Sequence, residues 1–128
     1  VFLSNLVKLD LGYNLLTSLP ESIGNLSSLT YLYLTSNQLT TLPESIGNLS
    51  SLVMLDLHGN QLTSIPESIG NLSSLVERLY LGSNQLTSIP ESICNLPNDC
   101  FITVHNNQLC EEFHYDCIDN WGTQDCGD

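Results

Sequence analysis

The chain has 128 residues, 41% of them hydrophobic, enough to fill the core of one ordinary domain or a short array of repeats. Fourteen Asp and Glu stand against two cations, Lys8 and Arg78, giving a formal net charge of -12, which argues against nucleic-acid or anionic-lipid partners, since both need clustered Lys and Arg. No apolar run approaches the roughly 18 residues of a bilayer span, and the first residues show neither a basic segment nor a cleavage site, so direct membrane insertion is not expected.

The first predicted strand carries Leu6, Leu9 and Leu11 and runs into Asn14. The same arrangement returns as Leu29, Leu32, Leu34 before Asn37, as Leu52, Leu55, Leu57 before Asn60, and more loosely as Leu79, Leu81 before Asn84 and Ile102, Val104 before Asn107. Successive copies are 23 residues apart, except for one step of 24 where an extra residue enters around Val76 to Arg78. Period-two alternation puts the Leu side chains on one face of each short strand. No such strand can bury that face alone, so the copies are expected to stack in parallel about 4.8 Å apart around a shared core. The repeated Asn would then form a ladder, Asn14, Asn37, Asn60, Asn84 and Asn107, bonding buried backbone groups of adjacent coils. Pro20, Pro43, Pro66 and Pro90, each followed by Glu-Ser-Ile, predict a single 3₁₀-like turn on the far side. Gly24, Gly47 and Gly70 are expected to turn the chain back with φ > 0.

The pattern L-x-x-L-x-L-x-x-N-x-L over residues 3 to 109 resembles the leucine-rich repeat superfamily. The L-P-x-x-I-G-N-L return is similar to the 23-residue class of plant intracellular Ras-group and Scribble-like proteins. The resemblance implies an α/β fold, a right-handed leucine-rich repeat solenoid with parallel strands on its concave face and short helical turns on its convex face. It also implies recognition of a protein ligand through the concave face. Two departures stand out: the extra residue near Val76 to Arg78 predicts a bulge that re-aims side chains, and Asp99 sits where earlier copies carry Leu6, Leu29 and Leu52.

The array is read as residues 1–109, and residues 110–128 as a Cys-rich acidic C-terminal cap in which Phe113, Ile118 and Trp121 lie over the last coil. Val1 begins in mid-coil, with Leu3 matching Leu26 and Leu49, so further repeats of a longer chain are expected upstream. Five Cys, at 94, 100, 110, 117 and 126, fall in the last third. Their clustering resembles the disulfide-bonded caps of extracellular leucine-rich repeat proteins, implying two bridges and one odd Cys without deciding the pairing. The odd thiol could be buried or could link to another chain. A zinc site from Cys110, His114, Cys117 and Cys126 is the rival, although no C-x2-C knuckle is present. Inert reduced thiols in a cytoplasmic protein are the third reading.

Three columns of side chains are expected on the concave face: Lys8, Tyr31, Met54, Arg78, Phe101; Asp10, Tyr33, Asp56, Tyr80, Thr103; and Gly12, Thr35, His58, Gly82, His105, beside Tyr13. Both cations and four of the five Tyr fall there, and exposed aromatic and Arg side chains on a rigid sheet are the usual material of binding hot spots. Covering the strands is the plainer role for the same residues. Glu21, Glu44, Glu67 and Glu91 form a solvated acidic row opposite, and Asn25, Asn48 and Asn71 begin N-x-S sequons. His58 and His105, two coils apart, are expected to be too far apart for one ring to orient the other, and Cys100 beside His105 is assigned to a cap disulfide. No nucleophile, metalloprotease or P-loop motif occurs, so neither an enzyme nor a cofactor is expected. The resulting expectation is a non-catalytic, extracellular or cell-surface module whose protein partner has a basic surface. A structural or adhesive segment of a larger surface protein is the alternative.

Overall fold

The computed structural model describes residues 5–127, so Leu3 lies outside the described residues. Five three-residue strands form one parallel sheet in chain order: β1 (Lys8–Asp10), β2 (Tyr31–Tyr33), β3 (Met54–Asp56), β4 (Arg78–Tyr80) and β5 (Phe101–Thr103). Five-residue 3₁₀ turns, Glu21–Asn25, Glu44–Asn48, Glu67–Asn71 and Glu91–Asn95, return the chain behind the sheet. Each is entered through an extended Pro, whose missing N–H costs the turn nothing. This is the α/β solenoid that the periodicity predicts. Among the described residues no helix is long and apolar enough to cross a membrane.

Leu32, Leu34, Leu55, Leu57, Leu79 and Leu81 are fully buried in one continuous core, and each contributes roughly 1.5–3 kcal/mol of transfer free energy. Leu6, Leu9 and Leu11, in the first coil, are only partly covered.

The Asn ladder is the second inter-coil bond. Asn60 Nδ2 donates to Leu34 O (2.9 Å) in the preceding coil and to Leu57 O (3.0 Å) in its own, while its Oδ1 accepts the Leu39 N–H (3.1 Å). Asn37, Asn84 and Asn107 repeat the pattern. Asn14 keeps only the bonds to Leu11 O and Gly12 O of its own coil. A third ladder runs along the convex side, where Ser45, Ser68 and Ser92 donate to Glu21 O, Glu44 O and Glu67 O at 2.6–2.7 Å.

The corner glycines differ from expectation. Positive φ falls at the residue before each ladder Asn, namely Tyr13, Ser36, Gly59, Ser83 and Asn106, and not at Gly24, Gly47 or Gly70. Those glycines serve close stacking: a Cβ on Gly24 or Gly47 would lie 2.5 Å from the backbone oxygen of Ser45 or Ser68 in the next turn. The inserted residue makes no bulge inside a strand, since Met54, Leu55 and Asp56 pair one-to-one with Arg78, Leu79 and Tyr80. It is absorbed just before β4, where Val76 is exposed and Glu77 N–H alone bonds to Val53 O. In the fifth coil the turn slips by one residue, so that Cys100 N–H bonds to Pro97 O and the Cys100 side chain fills the core while Asp99 is exposed.

Residues 110–127 add a shortened winding rather than a separate lid. Bridges join Thr103 to Asn120 and Asn107 to Gln124 in parallel. Gln124 takes the place of a ladder Asn: its Nε2 donates to Val104 O (2.8 Å) and Trp121 O (2.7 Å), and its Oε1 accepts the Leu109 N–H (3.1 Å). Ile118 is buried in the core, with Phe113, Tyr115 and Trp121 packed around it.

Replacing Asn60 by Ala would strand two carbonyls and one N–H in the interior, a loss of about 3 kcal/mol, whereas Asn14→Ala, at the exposed first rung, should cost under about 1 kcal/mol. Urea denaturation of the two variants checks this, and equal losses would contradict the ladder.

Candidate functional site

The outward side chains of β1–β4 are held by one another. Lys8 Nζ stands over the Tyr33 ring at 5.4 Å, and Tyr33 stacks on Tyr31 with ring centres 6.5 Å apart. Tyr31 OH donates to Glu77 Oε2 at 3.1 Å, which together with the Glu77 charge raises the phenol's pKa. Glu77, adjoining the extra residue, was not among the expected site residues; the 24-residue step was the signal that could have pointed to it. Arg78 lies over the Tyr80 ring at 5.6 Å and donates to its hydroxyl. Met54 is half-buried between these groups, while Phe101 and Tyr13 are exposed. Asp10 and Asp56 look inward to their own corners, each Oδ1 accepting a backbone N–H two residues on, from Gly12 and His58 respectively, at 3.0 Å. Their charge is thereby partly engaged.

His58 and His105 correct the expected separation. Their ring centres are 5.6 Å apart, because Gly82 stands between them and has no side chain. Thr103 is also not on the open face: it is buried where the chain passes at Asn120.

The cysteines are placed as Cys94–Cys117 and Cys110–Cys126, with Cys100 free and buried. Cys94 occupies the position of Gly24, Gly47 and Gly70, whose Cβ direction points at the following turn; there the following winding brings Cys117. The zinc reading loses three of its four donors to these bridges. Cys100 is neither a disulfide partner nor an accessible link to another chain. Burial, helped by the Asp119 carboxylate, pushes its thiol up to about 12. A cleft of about 180 Å³ lies beside it, below the size of ordinary small-molecule pockets. Tyr115, whose hydroxyl donates to Ile89 O at 3.1 Å, and Gln124 were not read from the sequence; the echo of Leu-x-x-Asn in Trp121-x-x-Gln124 was the available sign.

Residues 3–109 match the family described as a leucine-rich repeat region. The chain belongs to the leucine-rich repeat family. No curated protein matches it. Among solved structures, a leucine-rich repeat protein of Leptospira interrogans is similar at 39% identity and a TM-score of 0.76, over 82% of this chain and 26% of that one. The ectodomain of the membrane receptor kinase GASSHO1/SCHENGEN3 from Arabidopsis thaliana, solved in complex with Casparian strip integrity factor 2, is similar at 32% identity and a TM-score of 0.71. That match covers 83% of this chain and 16% of the ectodomain. This leucine-rich repeat array therefore spans about a quarter or less of either neighbour. Leucine-rich repeat regions generally mediate protein interactions without catalysis.

A buried thiol with so high a pKa holds almost no thiolate at pH 8, so iodoacetamide should leave Cys100 unmodified in the folded protein and alkylate it after denaturation. Mass spectrometry reads the outcome. Alkylation of the native protein at the rate of a free peptide thiol would contradict the placement.

Proposed function

We propose that this leucine-rich repeat array is a non-catalytic recognition module that grips a protein partner with its concave sheet. The observation that carries the reading is the mutual bracing of Lys8, Tyr33, Tyr31 and Glu77, and of Arg78 and Tyr80, on that one face. Side chains already ordered lose less entropy on binding, and Tyr and Arg are the residues that most often dominate interface energy. The convex side offers instead the same Glu-Ser-Ile turn in every coil, its Ser already bonded to the neighbouring turn. The Arabidopsis neighbour solved with a bound factor supports the same use of this architecture. Tyr13, Met54, Phe101, His58 and His105 extend the contact face, and Asp10 and Asp56 contribute to its negative field.

A net charge of -12 favours a partner with a basic surface, through faster encounter at low salt. Two disulfides fit an oxidising, extracellular setting. The 23-residue return suits the plant-type subclass, with residues 1–109 read as the array and 110–128 as its closing segment.

The test is the affinity of a purified partner for the chain with Tyr33, Tyr80 and Arg78 all changed to Ala, beside a convex control, Glu44→Gln with Glu67→Gln. The concave variant should bind about 100-fold or more weakly, since two hot-spot residues at about 2 kcal/mol each already exceed that, while the control should bind normally. Unchanged affinity in the concave variant would leave the sheet as a spacer.

A further inference from the structure

The geometry points to a metal-ion site on the concave face, in which His58 and His105 chelate one divalent first-row transition ion such as zinc across Gly82. A metal–nitrogen bond of about 2.1 Å puts an imidazole centre about 3.2 Å from the ion, so two rings on one tetrahedral ion have centres roughly 5.2 Å apart. The observed separation is 5.6 Å with the ring planes at 36°. Side-chain motion of a few tenths of an ångström closes that difference.

Three features say that this approach is built. The His105 ring lies directly over Gly82, where a Cβ would strike Nδ1, Cε1 and Nε2 of the imidazole. On its other side Gly122, itself with φ of 65°, fits against the His105 Cα and Cβ. His105 is thus slotted between two glycines, with its ring beside that of His58. Finally, His105 Nδ1 is a buried side-chain atom without a hydrogen-bond partner among the described residues. Polar atoms left so are costly unless a ligand or water completes them.

Imidazole nitrogen suits zinc, copper and nickel and not calcium or magnesium, which prefer oxygen donors. Among the described residues no group of three or more His, Cys, Asp or Glu is gathered for a metal. The chain therefore supplies two donors, and water or a side chain of a docked partner completes the ion's shell. The site does not depend on the partner reading, because the ion alone is its ligand.

Zinc chloride is titrated into the oxidised protein, with calorimetry for affinity and the imidazole carbon-proton resonances for location. One equivalent should bind, shifting His58 and His105 while His114, which pairs with Glu111 and stacks on Trp121, stays unmoved. His58→Ala should weaken binding about 10-fold or more, and His114→Ala should leave it unchanged. Gly82→Ala keeps both imidazoles and, with no positive φ at that residue, needs no strained backbone; it should weaken zinc as much by displacing the His105 ring. Absence of saturable binding, equal affinity in His58→Ala, or shifts confined to His114 would overturn the site, as would undiminished binding in Gly82→Ala.

Discussion

Each described strand is three residues long, too short to persist by itself, and its backbone groups are bonded to neighbouring coils, on both sides for β2–β5 and to β2 for β1. The polypeptide is therefore held by inter-coil bonds: the sheet on the concave side, the Asn side chains inside the corner, and the Ser-to-Glu carbonyl ladder on the convex side. Those three rows bracket the leucine core, and most outward side chains of the strands take no part in them. That face carries the most varied chemistry of the repeat.

Ending such a stack is a problem of unsatisfied bonds, and the C-terminal segment answers it with the repeat's own devices. Gln124 completes the last rung of the Asn ladder, Asn120 and Thr123 accept the Val104 and Asn106 N–H groups, and Cys94 uses the Gly position to reach Cys117. The winding is shorter, with Gln124 following Asn107 by 17 residues, and the two disulfides staple what a short coil cannot hold by burial alone. In closing the stack it also buries Thr103 and positions His105, so that the end of the sheet is shaped by residues outside the repeat.

The solenoid, the Asn ladder and the Pro-led turns were legible in the sequence because each follows from a spacing repeated several times. What was missed occurs once. Gly82 reads as another corner residue, yet its lack of a Cβ brings His58 and His105 together across a coil. Glu77, beside the residue added before β4, meets Tyr31, which is 46 residues away in sequence. Cys100 replaces Asp99 in the core through a one-residue slip that alignment by spacing cannot show. The glycine corner was misjudged for a related reason: φ > 0 and close packing both select Gly, and the composition does not distinguish them.

Native-state hydrogen exchange tests the shared-core account most directly. The Leu39, Leu62 and Leu86 amides, each bonded to the Asn side chain of the next coil, should exchange slowest and with one common protection set by global unfolding. Fast or unequal exchange at these three amides, with the strands still protected, would show coils that open independently and would contradict it.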